Sequence, residues 1–466
     1  MLVSLSPLSA EPLTDQIVNG LKRLIEGRVL RPGSRLPSIR RFAADHDVSR
    51  FTVVQAYDRL VASGFVDSRR GSGFFVIPPL AQPRATGDRQ LSRAIDVMWL
   101  LRLTTSESVA DFIPGCGWLP GDWQDTACME RGLREIARLG ARHFAEGYSG
   151  AFGYLPLRQD IQRQLATSGI GVEPDQIMTT SGIVGALDLV ARYLLKPGDT
   201  VLVDDPGTLH IFGQLQTLGA TVVGVPWTAT GPDVQALATL IETHRPKAFF
   251  TNTVVHNPTG ATVSQACAHQ VLRIAEENDL YLIEDDVYRD LQPDAATRLA
   301  ALDQLEKVIY VSGFSKTLSA QLRVGYIAAN KDLIRDLVDL KRMTCMATPD
   351  VTERLVHQVL QEGHYRKHLA SLHIRLQRAT EKTLRELERC GLRTYIEPSR
   401  GMFLWSRFEN IEDSAVLADS AANQKIMLAA GTLFRPNQEA SPWIRFNVAF
   451  CDHPEIYDFL KRASAR

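Results

Sequence analysis

One lysine occupies a place from which it can react with a carbonyl compound. Lys316 lies in SGFSKTLSAQLRVGY, directly after the strand-like run KVIYVSG. A lysine at a strand end can form a Schiff base with an aldehyde if its surroundings lower its pKa. Arg323, seven residues later, is suited to a phosphate group. The alternative is a surface lysine and a surface arginine with no common task, the usual situation of such residues.

An acidic cluster follows the apolar strand-like run in YLIEDDVY. A carboxylate at the end of such a strand, here Asp285, can keep a pyridine nitrogen protonated and so make the ring an electron sink. Tyr288, three residues later, can hydrogen-bond a ring oxygen. A calcium or magnesium site on Glu284, Asp285 and Asp286 is the alternative. Successive strand residues point to opposite faces, so this alternative is disfavoured.

The segment VVHNPTGA contains turn-forming residues around Asn257. Such a sequence is compatible with a simple loop. Its functional interpretation is that the Asn257 amide donates a hydrogen bond to the same ring oxygen as Tyr288.

A strand-to-helix turn is predicted in MTTSGIVGALDLVARYL, through Ser181 and Gly182. Backbone N–H groups at the start of a helix, here including those of Ile183 and Val184, bind phosphate well. The turn would equally suit a nucleotide, so by itself it does not identify the ligand.

Length and composition exclude several classes of protein. The chain has 466 residues, 45% hydrophobic and 23% charged, which allows two or three domains and excludes a disordered or disulfide-dense chain. Six cysteines without a CxxC pair indicate a reducing compartment and argue against a zinc ribbon. No apolar run of about 20 residues is present, and the first residues lack a basic signal region. We therefore expect a soluble cytoplasmic protein without a membrane partner.

Charge is distributed unevenly along the chain. Residues 1–78 carry 11 Lys and Arg against 7 Asp and Glu, a net charge of +4, whereas the other 388 residues have a net charge of −5. This asymmetry suggests a small domain that meets a polyanion, joined to a larger domain that does not.

The sequence divides into three regions. Residues 1–78 form the first domain, and residues 79–109 form a linker that begins with the proline-rich PPLAQPRATGDRQ and contains a possible short helix over Leu91–Leu103. From residue 110 to 466, strand-like runs such as DTVLVDD and GATVVGV alternate with helical patterns. This alternation predicts an α/β domain with a mostly parallel sheet covered on both faces.

The first domain has the pattern of a winged helix-turn-helix. Helices are predicted over Leu13–Arg28 and Ile39–His46, and a third begins after Ser49 and ends near Ser63 and Gly64. The segment FVDSRRGSGFFV predicts two short strands that form the wing.

The third helix would enter the major groove of DNA with its first residues leading. These residues are Ser49, Arg50, Phe51 and Thr52. Hydroxyl groups and a helix N-terminus suit phosphate oxygens, and arginine suits a phosphate or a guanine edge. Arg69 and Arg70 in the wing would contact the backbone or minor groove. A three-helix protein-interaction domain with solvated arginines remains the alternative on pattern alone.

The segment PGSRLPSIRRFAADHDVSRFTVVQAYDRLVASGFVDSRRGSGFFV closely resembles the DNA-binding domain of GntR-type regulators. The resemblance covers nearly all of residues 12–77 and implies double-stranded operator DNA as a partner. It implies DNA contacts by Arg40, Ser49, Arg50 and Thr52, with Arg35 and Gly71 as further candidates. Phe51 departs from the small polar residue that is usual there, and it could contact a thymine methyl group or change the operator preference.

The four motifs of the second domain, in their order and spacing, resemble fold-type I pyridoxal-phosphate enzymes of the aspartate aminotransferase class over residues 110–466. The resemblance implies pyridoxal 5'-phosphate as the cofactor. It assigns the covalent bond to Lys316, the pyridine nitrogen to Asp285, and the ring oxygen to Asn257 and Tyr288. The phosphate contacts would come from Arg323, Ser315, Ser181 and the backbone of Gly182, Ile183 and Val184.

Two further residues match this class. Tyr148 in GYSGAFGYLPLR matches the tyrosine that reaches the partner subunit's phosphate, which implies a homodimer. Arg445 in WIRFNVAF matches the arginine that binds the substrate's α-carboxylate, where a bidentate pair needs arginine.

Two positions depart from the class. The aromatic residue that usually stacks on the pyridine ring is replaced by Thr208 in VDDPGTLHIFG, so His210 or Phe212 would have to cover the ring or the cofactor would be held less tightly. Gly313 in SGFSK replaces a common Ser or Thr, so one phosphate hydrogen bond would be lost or moved to Ser312 or Ser315.

A GntR-type winged helix fused to an aminotransferase-like domain is the architecture of MocR/GabR-type transcriptional regulators. The resemblance implies a regulator whose effector is an amino compound or the B6 vitamer. His210 could make the pocket favour an acidic or polar effector, or it could fill the space of the lost ring. A working aminotransferase is the alternative, because every residue needed for half-transamination is present. A scaffold with an inactive site is disfavoured for the same reason.

Overall fold

The computed structural model describes residues 12–26, 30, 34–63, 65–69, 73–76, 110–145, 147–292, 296–397 and 400–464. The chain divides into two compact units, Met1–Leu91 and Ser92–Arg466. The helix predicted over Leu91–Leu103 and the rest of the predicted linker lie outside the described residues.

The first unit is a winged helix-turn-helix, as the sequence predicts. Its helices are Leu13–Glu26, Ile39–His46 and Arg50–Ala62, and its two strands are β1 (Val66–Arg69) and β2 (Gly73–Val76). The strands pair antiparallel. Apolar side chains spaced along the three helices and β1 meet in one buried core, which includes Ile17, Leu21, Phe42, Tyr57, Leu60 and Val66.

Serine caps explain where two of these helices begin. The Ser38 side chain accepts a hydrogen bond from the backbone N of Arg41 at 3.3 Å. The Ser49 side chain accepts one from the backbone N of Thr52 at 3.0 Å. Each cap satisfies an N–H group that has no partner within its helix. Between the two helices, Asp47 adopts the left-handed conformation that makes the predicted tight turn.

The second unit combines a large sheet, a small sheet and thirteen described helices. Strands of the large sheet are β3 (Ile177–Ser181), β4 (Thr200–Asp205), β5 (Thr221–Thr228), β6 (Gly231–Pro232), β7 (Ala248–Thr251), β8 (Tyr281–Asp285), β9 (Val308–Gly313) and β10 (Val324–Ala328). Strands of the small sheet are β11 (Arg393–Thr394), β12 (Phe403–Arg407), β13 (Ala429–Ala430) and β14 (Trp443–Asn447). The helices are Thr126–Arg138, Gly140–Phe144, Leu155–Thr167, Gly182–Leu194, Leu209–Thr217, Val234–His244, Gln265–Glu277, Leu299–Asp303, Lys331–Thr344, Asp350–Leu360, His364–Arg389, Ser414–Ala422 and Pro454–Ser464.

The large sheet has the order β3-β10-β9-β8-β7-β4-β5-β6. Strands β5, β4, β7, β8 and β9 are parallel, which confirms the mostly parallel sheet. Strand β10 runs antiparallel to both of its neighbours, β3 and β9, a reversal that the alternating pattern did not predict. Every residue of β9 is buried, as expected for a strand covered by helices on both faces.

This topology gathers polar residues at one edge of the sheet. Parallel strands β4, β8 and β9 end there with Asp205, Asp285 and Gly313. Because β10 is reversed, its first residue Val324 pairs with Ser181, the last residue of β3. The turns that carry Lys316, Arg323 and Gly182 therefore all leave the sheet at this edge, where ligands bind in open α/β sheets.

Within the described part of the chain, no helix is both long and apolar enough to cross a bilayer.

Candidate functional site

Lys316 lies in the turn after β9, half-buried at the carboxyl edge of the sheet. Its Nζ donates a hydrogen bond to the Gly117 carbonyl at 2.7 Å and lies 5.6 Å from the centre of the Tyr288 ring. Burial, followed by the positive charge of Arg445, lowers the pKa of Lys316 to about 8. The fraction of neutral, nucleophilic amine at neutral pH is therefore far larger than for an ordinary lysine.

The acidic run at the end of β8 separates into different environments. Glu284 accepts hydrogen bonds from the Thr253 hydroxyl and from the backbone N of Leu299 and Ala300. Asp286 pairs with Arg298 at 2.6 Å. Among the described residues, no group of three His, Cys, Asp or Glu could hold a metal ion.

Asp285 is close enough to Lys316 for their charges to interact. Its Oδ1 accepts from the backbone N of Val287 at 3.0 Å, and its backbone carbonyl accepts from the Asn252 amide at 2.7 Å. Burial raises the pKa of Asp285 to about 7, against the opposing effects of the Val287 N–H and of Lys316. A buried carboxylate of this kind is stabilised by a protonated ring nitrogen beside it.

Arg445 and Asn257 form a second polar centre. Arg445 Nη1 donates to Asn257 Oδ1 at 2.8 Å, and Nη2 donates to the Gly115 carbonyl at 2.7 Å. The guanidinium lies between the rings of Phe403 and Phe434, at 4.3 and 4.8 Å from their centres. Its buried Nε has no hydrogen-bond partner among the described residues. Burial lowers the pKa of Arg445, so an anionic ligand group would stabilise this cation.

Tyr288 completes this face of the cleft. The side chain is buried, and its ring packs edge-on against Phe403. Burial raises the pKa of the Tyr288 hydroxyl. The hydroxyl therefore stays protonated near neutral pH and can donate a hydrogen bond.

The turn from β3 into helix Gly182–Leu194 has the features of an anion site. Gly182 has φ 72°, and no described side chain caps this helix. Arg323 lies against Gly182, and its Nη2 donates to the Ser181 carbonyl at 3.4 Å. Ile183 and Val184 in the first helical turn are half-buried, whereas Ser181 is exposed. Free backbone N–H groups, a helix dipole and a guanidinium thus converge on one point.

The structure gives a reason for Gly313 and distinguishes the two serines near it. A Cβ at Gly313 would lie 3.0 Å from the Val324 carbonyl, so a side chain there would require β9 and β10 to move slightly apart. The Ser312 hydroxyl is already used, since it donates to the Asp286 carbonyl at 2.7 Å. The Ser315 hydroxyl is buried and has no partner in the described part of the chain. Of the two, Ser315 is therefore the one that is available to a phosphate.

The two candidates for the missing stacking ring are placed differently. Phe212 is buried in the core of the second unit, whereas His210 is exposed. The surrounding protein, followed by the charges of Lys316, Arg445 and Arg323, lowers the pKa of His210. His210 is therefore neutral at physiological pH. It lies close enough to Lys316, Arg445 and Arg323 for their charges to affect its pKa.

One part of the site was missed by sequence reasoning. The segment Gly115–Trp118 supplies the carbonyls that bind Arg445 and Lys316. The Asn447 side chain fixes this segment, since its Nδ2 donates to the carbonyls of Trp118 and Cys116 at 2.7 and 3.2 Å. GCGW has neither helical nor strand periodicity, so the sequence contained no signal for its place in the fold. Asn447 could have been found, because it lies two residues after Arg445 on the same strand face.

Tyr148 is 84% exposed. It belongs to an apolar surface: among the described residues of the second unit, eight of the twelve exposed large hydrophobic side chains lie in residues 133–155 and 343–351. The two segments meet, since His143 contacts Asp350 at 3.3 Å. We refer to this area as the Tyr148 surface; its apolar members are Leu133, Leu139, Phe144, Tyr148, Leu155, Met343, Met346 and Val351.

The predicted DNA contacts lie on the surface of the first unit. Arg40, Ser49 and Arg50 are exposed and Thr52 is half-buried. Arg35 pairs with Phe75 of β2 and lies against Gly73, so it supports the wing. Arg69 ends β1. The side chain of Arg69, and Arg70 and Gly71 entirely, lie outside the described residues.

Comparisons with known proteins agree with this architecture. Residues 13–76 match the family of bacterial regulatory proteins, gntR family, and residues 115–462 match the family aminotransferase class I and II. The HTH-type transcriptional regulator YdfD of Bacillus subtilis is 30% identical, with 96% of this chain and 94% of YdfD covered. YdcR of Escherichia coli, also an HTH-type transcriptional regulator, is 30% identical, with 95% and 94% covered.

Solved structures resemble the second unit. The α-aminoadipate aminotransferase LysN of Thermus thermophilus has a TM-score of 0.71 at 26% identity, covering 78% of this chain and 93% of LysN. The kynurenine aminotransferase of Pyrococcus horikoshii has a TM-score of 0.72 at 25% identity, covering 82% and 96%.

Fold and site together define a DNA-binding winged helix joined to an aminotransferase-like domain. The chain belongs to the GntR-type HTH transcriptional regulators that carry such a domain, the MocR/GabR type. Its relatives over the whole length are regulators, so a regulator is better supported than a free-standing aminotransferase.

Proposed function

We propose that this regulator binds pyridoxal 5'-phosphate in the cleft of its second unit and that an amino compound or a B6 vitamer bound there controls its affinity for operator DNA. The proposal is carried by one observation. The cleft places an amine with a lowered pKa, Lys316, among an uncapped helix N-terminus, an unpaired buried hydroxyl and a buried carboxylate. The solved structure of LysN, which shares this fold, is a complex with N-(5'-phosphopyridoxyl)-L-leucine.

The residues present fit this cofactor. Its phosphate would be held by Arg323, the Ser315 hydroxyl and the backbone N–H groups that follow Ser181. Asp285 would hold a proton on the ring nitrogen, and Asn257 and Tyr288 would donate to the ring oxygen. When bound, the cofactor supplies an aldehyde and an electron sink.

The chain's own residues determine which effector binds. Arg445 would bind a carboxylate with two parallel N–H groups, held between Phe403 and Phe434. His210 is neutral because of its lowered pKa, so it would act on the effector or the ring as a polar surface and not as a charge. An effector with both an amino group and a carboxylate therefore fits this cleft best.

The functional unit is proposed to be a homodimer. Tyr148 is the most exposed of the large hydrophobic side chains of the described residues, and seven others are exposed in the same two segments. Exposed patches of this kind mark interfaces. In a symmetric dimer the same surface would be covered on both subunits, and each Tyr148 would reach its partner's phosphate site.

Control of DNA binding follows from differential affinity. If the effector binds one arrangement of the two units more tightly than another, it shifts the population toward that arrangement. DNA bound to the first unit then changes the effector affinity by the same factor.

The test uses the full-length protein with pyridoxal phosphate and an operator duplex selected from random DNA. Candidate amino acids, amines and vitamers are titrated while absorbance and operator affinity are followed at one salt concentration. Arg50→Ala should weaken operator binding by about 1–3 kcal/mol and keep the absorbance response. Arg445→Lys should keep operator binding and lose most of the response to carboxylate effectors.

Two outcomes would contradict the proposal: no sequence-selective duplex binding by the wild-type protein, or no compound that alters operator affinity. Repeated turnover of an amino compound without any effect on DNA binding would instead favour the aminotransferase alternative.

A further inference from the structure

The first unit exposes one large apolar side chain on the helix that faces DNA. Phe51 is 69% exposed, and it is the only large hydrophobic residue of this unit, within the described residues, that is substantially exposed. Ile17, Leu21 and Phe42, by contrast, are fully buried in the same unit. The core is therefore complete without Phe51, and the residue contributes little to packing in the free protein.

The place of Phe51 in the helix determines what it can meet. It is the second residue of helix Arg50–Ala62. Ser49 caps this helix and also bonds the Thr52 hydroxyl at 2.7 Å, which fixes the first turn. The first residues of such a helix are those that reach base edges in the major groove. Polar and cationic neighbours on both sides leave Phe51 as the apolar contact of this turn.

The methyl group of thymine is the most prominent apolar group in the major groove. Thymine alone among the four bases presents a methyl group there, and most of the other exposed base atoms are hydrogen-bond donors and acceptors. A phenyl ring placed against those edges would desolvate them without replacing their hydrogen bonds, which is unfavourable.

We propose that Phe51 reads the 5-methyl group of a thymine in each operator half-site. The inference rests on the proposed DNA-binding function and specifies a base that it selects. Loss of the contact leaves Arg50, Ser49 and Thr52 in place. The protein should therefore lose its preference for thymine at one base position and keep its preferences at the others.

Uracil tests this proposal, because it differs from thymine only by the missing methyl group. Each thymine of the selected operator is replaced singly by uracil in duplexes with the full-length protein, and affinities are measured at one salt concentration. We expect one position per half-site at which uracil weakens wild-type binding about four-fold, the effect of exposing one methyl group. Phe51→Ser should bind the thymine and uracil duplexes equally at that position.

Two further variants complete the experiment. Phe51→Leu keeps an apolar side chain and should retain part of the discrimination between thymine and uracil. Ala62→Ser changes an exposed residue at the other end of the same helix and should leave discrimination at the wild-type value.

The outcomes separate this inference from the function on which it rests. If thymine and uracil duplexes bind equally to the wild-type protein at every position, or if Phe51→Ser weakens all duplexes by the same factor, the inference is wrong while DNA binding stands. If no duplex is bound selectively, the proposed function fails instead.

Discussion

At the scale of single residues, the half-buried Lys316 and the buried Lys341 show what makes an amine reactive. Burial lowers the pKa of both Lys316 and Lys341 to about 8. Lys341 donates to the carbonyls of Ala151 and Thr179 and to the Thr348 hydroxyl, at 2.7 to 2.9 Å. Lys316 donates to a single carbonyl. The two amines therefore have a similar pKa, but Lys341 is fixed by its three hydrogen bonds whereas Lys316 can turn toward a ligand.

This contrast predicts where and when pyridoxal phosphate reacts. A neutral amine is required, so the rate of uptake by the cofactor-free protein should rise as the pH passes through about 8, and not through the usual lysine value near 10.4. The rate is followed by absorbance. After borohydride reduction, peptide mapping should find the adduct on Lys316, with Lys341 as the internal control.

An adduct on Lys341, or a borohydride-stable adduct in Lys316→Ala, would contradict the assignment. A rate that is constant between pH 7 and 9 would contradict the lowered pKa.

At the scale of elements, the reversed strand β10 is what brings the phosphate site together. It lies between β3 and β9 and pairs with both. A Cβ at Gly325 would lie 2.6 Å from the backbone of Gly182, so the strand packs directly against the turn before helix Gly182–Leu194. Arg323, the residue before β10, is held against Gly182 as a result.

Two glycines of the second unit, one in the proposed phosphate site and one inside a helix, provide a matched pair of substitutions. Gly182→Ala should weaken pyridoxal phosphate binding more than ten-fold, since the residue has φ 72° and the new Cβ would lie 2.7 Å from Arg323 Nη2. Gly213→Ala should leave binding unchanged and stabilise the protein slightly, because nothing lies within 4 Å of its Cβ and it is inside a helix. Cofactor titration and thermal unfolding measure both effects.

Equal cofactor affinity in the two alanine variants would show that the turn at Gly182 does not hold the phosphate.

Sequence reasoning predicted elements better than their arrangement. The winged helix and the parallel strands follow from local periodicity and caps, such as Ser38 and Ser49, so the sequence predicted them. The direction of β10 could not be predicted, because an antiparallel strand in a parallel sheet has the same apolar sequence as its neighbours. The role of Gly115 and Gly117 was also hidden, since each acts through a backbone carbonyl that any residue possesses. Lys316, Asp285 and Arg445 were recognisable because their chemistry lies in the side chain.

At the scale of the whole molecule, the Tyr148 surface is the feature that we expect a second subunit to cover. Its apolar side chains come from residues that are far apart in sequence, and the structure joins them through contacts such as that between His143 and Asp350. Burying them against a second copy would be favoured by the hydrophobic effect.

Two exposed side chains of similar accessibility test this assembly. Met343 is 79% exposed on the Tyr148 surface, and Val416 is 72% exposed outside it. Met343→Arg would place a charge in the proposed desolvated interface, so the protein should sediment as a monomer at micromolar concentration. Val416→Arg should sediment like the wild type.

The proposed homodimer would be disproved if the wild-type protein sedimented as a monomer with full cofactor occupancy. A Met343→Arg protein that remained dimeric would place the interface elsewhere.

The hydrogen bonds that the Gly115 and Gly117 carbonyls accept also affect which effectors can bind in the cleft. These two carbonyls already accept hydrogen bonds from Arg445 and Lys316. A ligand that binds either side chain therefore competes with the protein's own backbone. A compound that replaces only one of these contacts exchanges one interaction for another and gains little free energy. A compound that carries both an amino group and a carboxylate can replace both contacts at once, while Asn447 keeps the Gly115–Trp118 segment in place. Under the proposed function, we expect simple amines and simple carboxylates to have little effect, and a compound that carries both groups on one molecule to elicit the response.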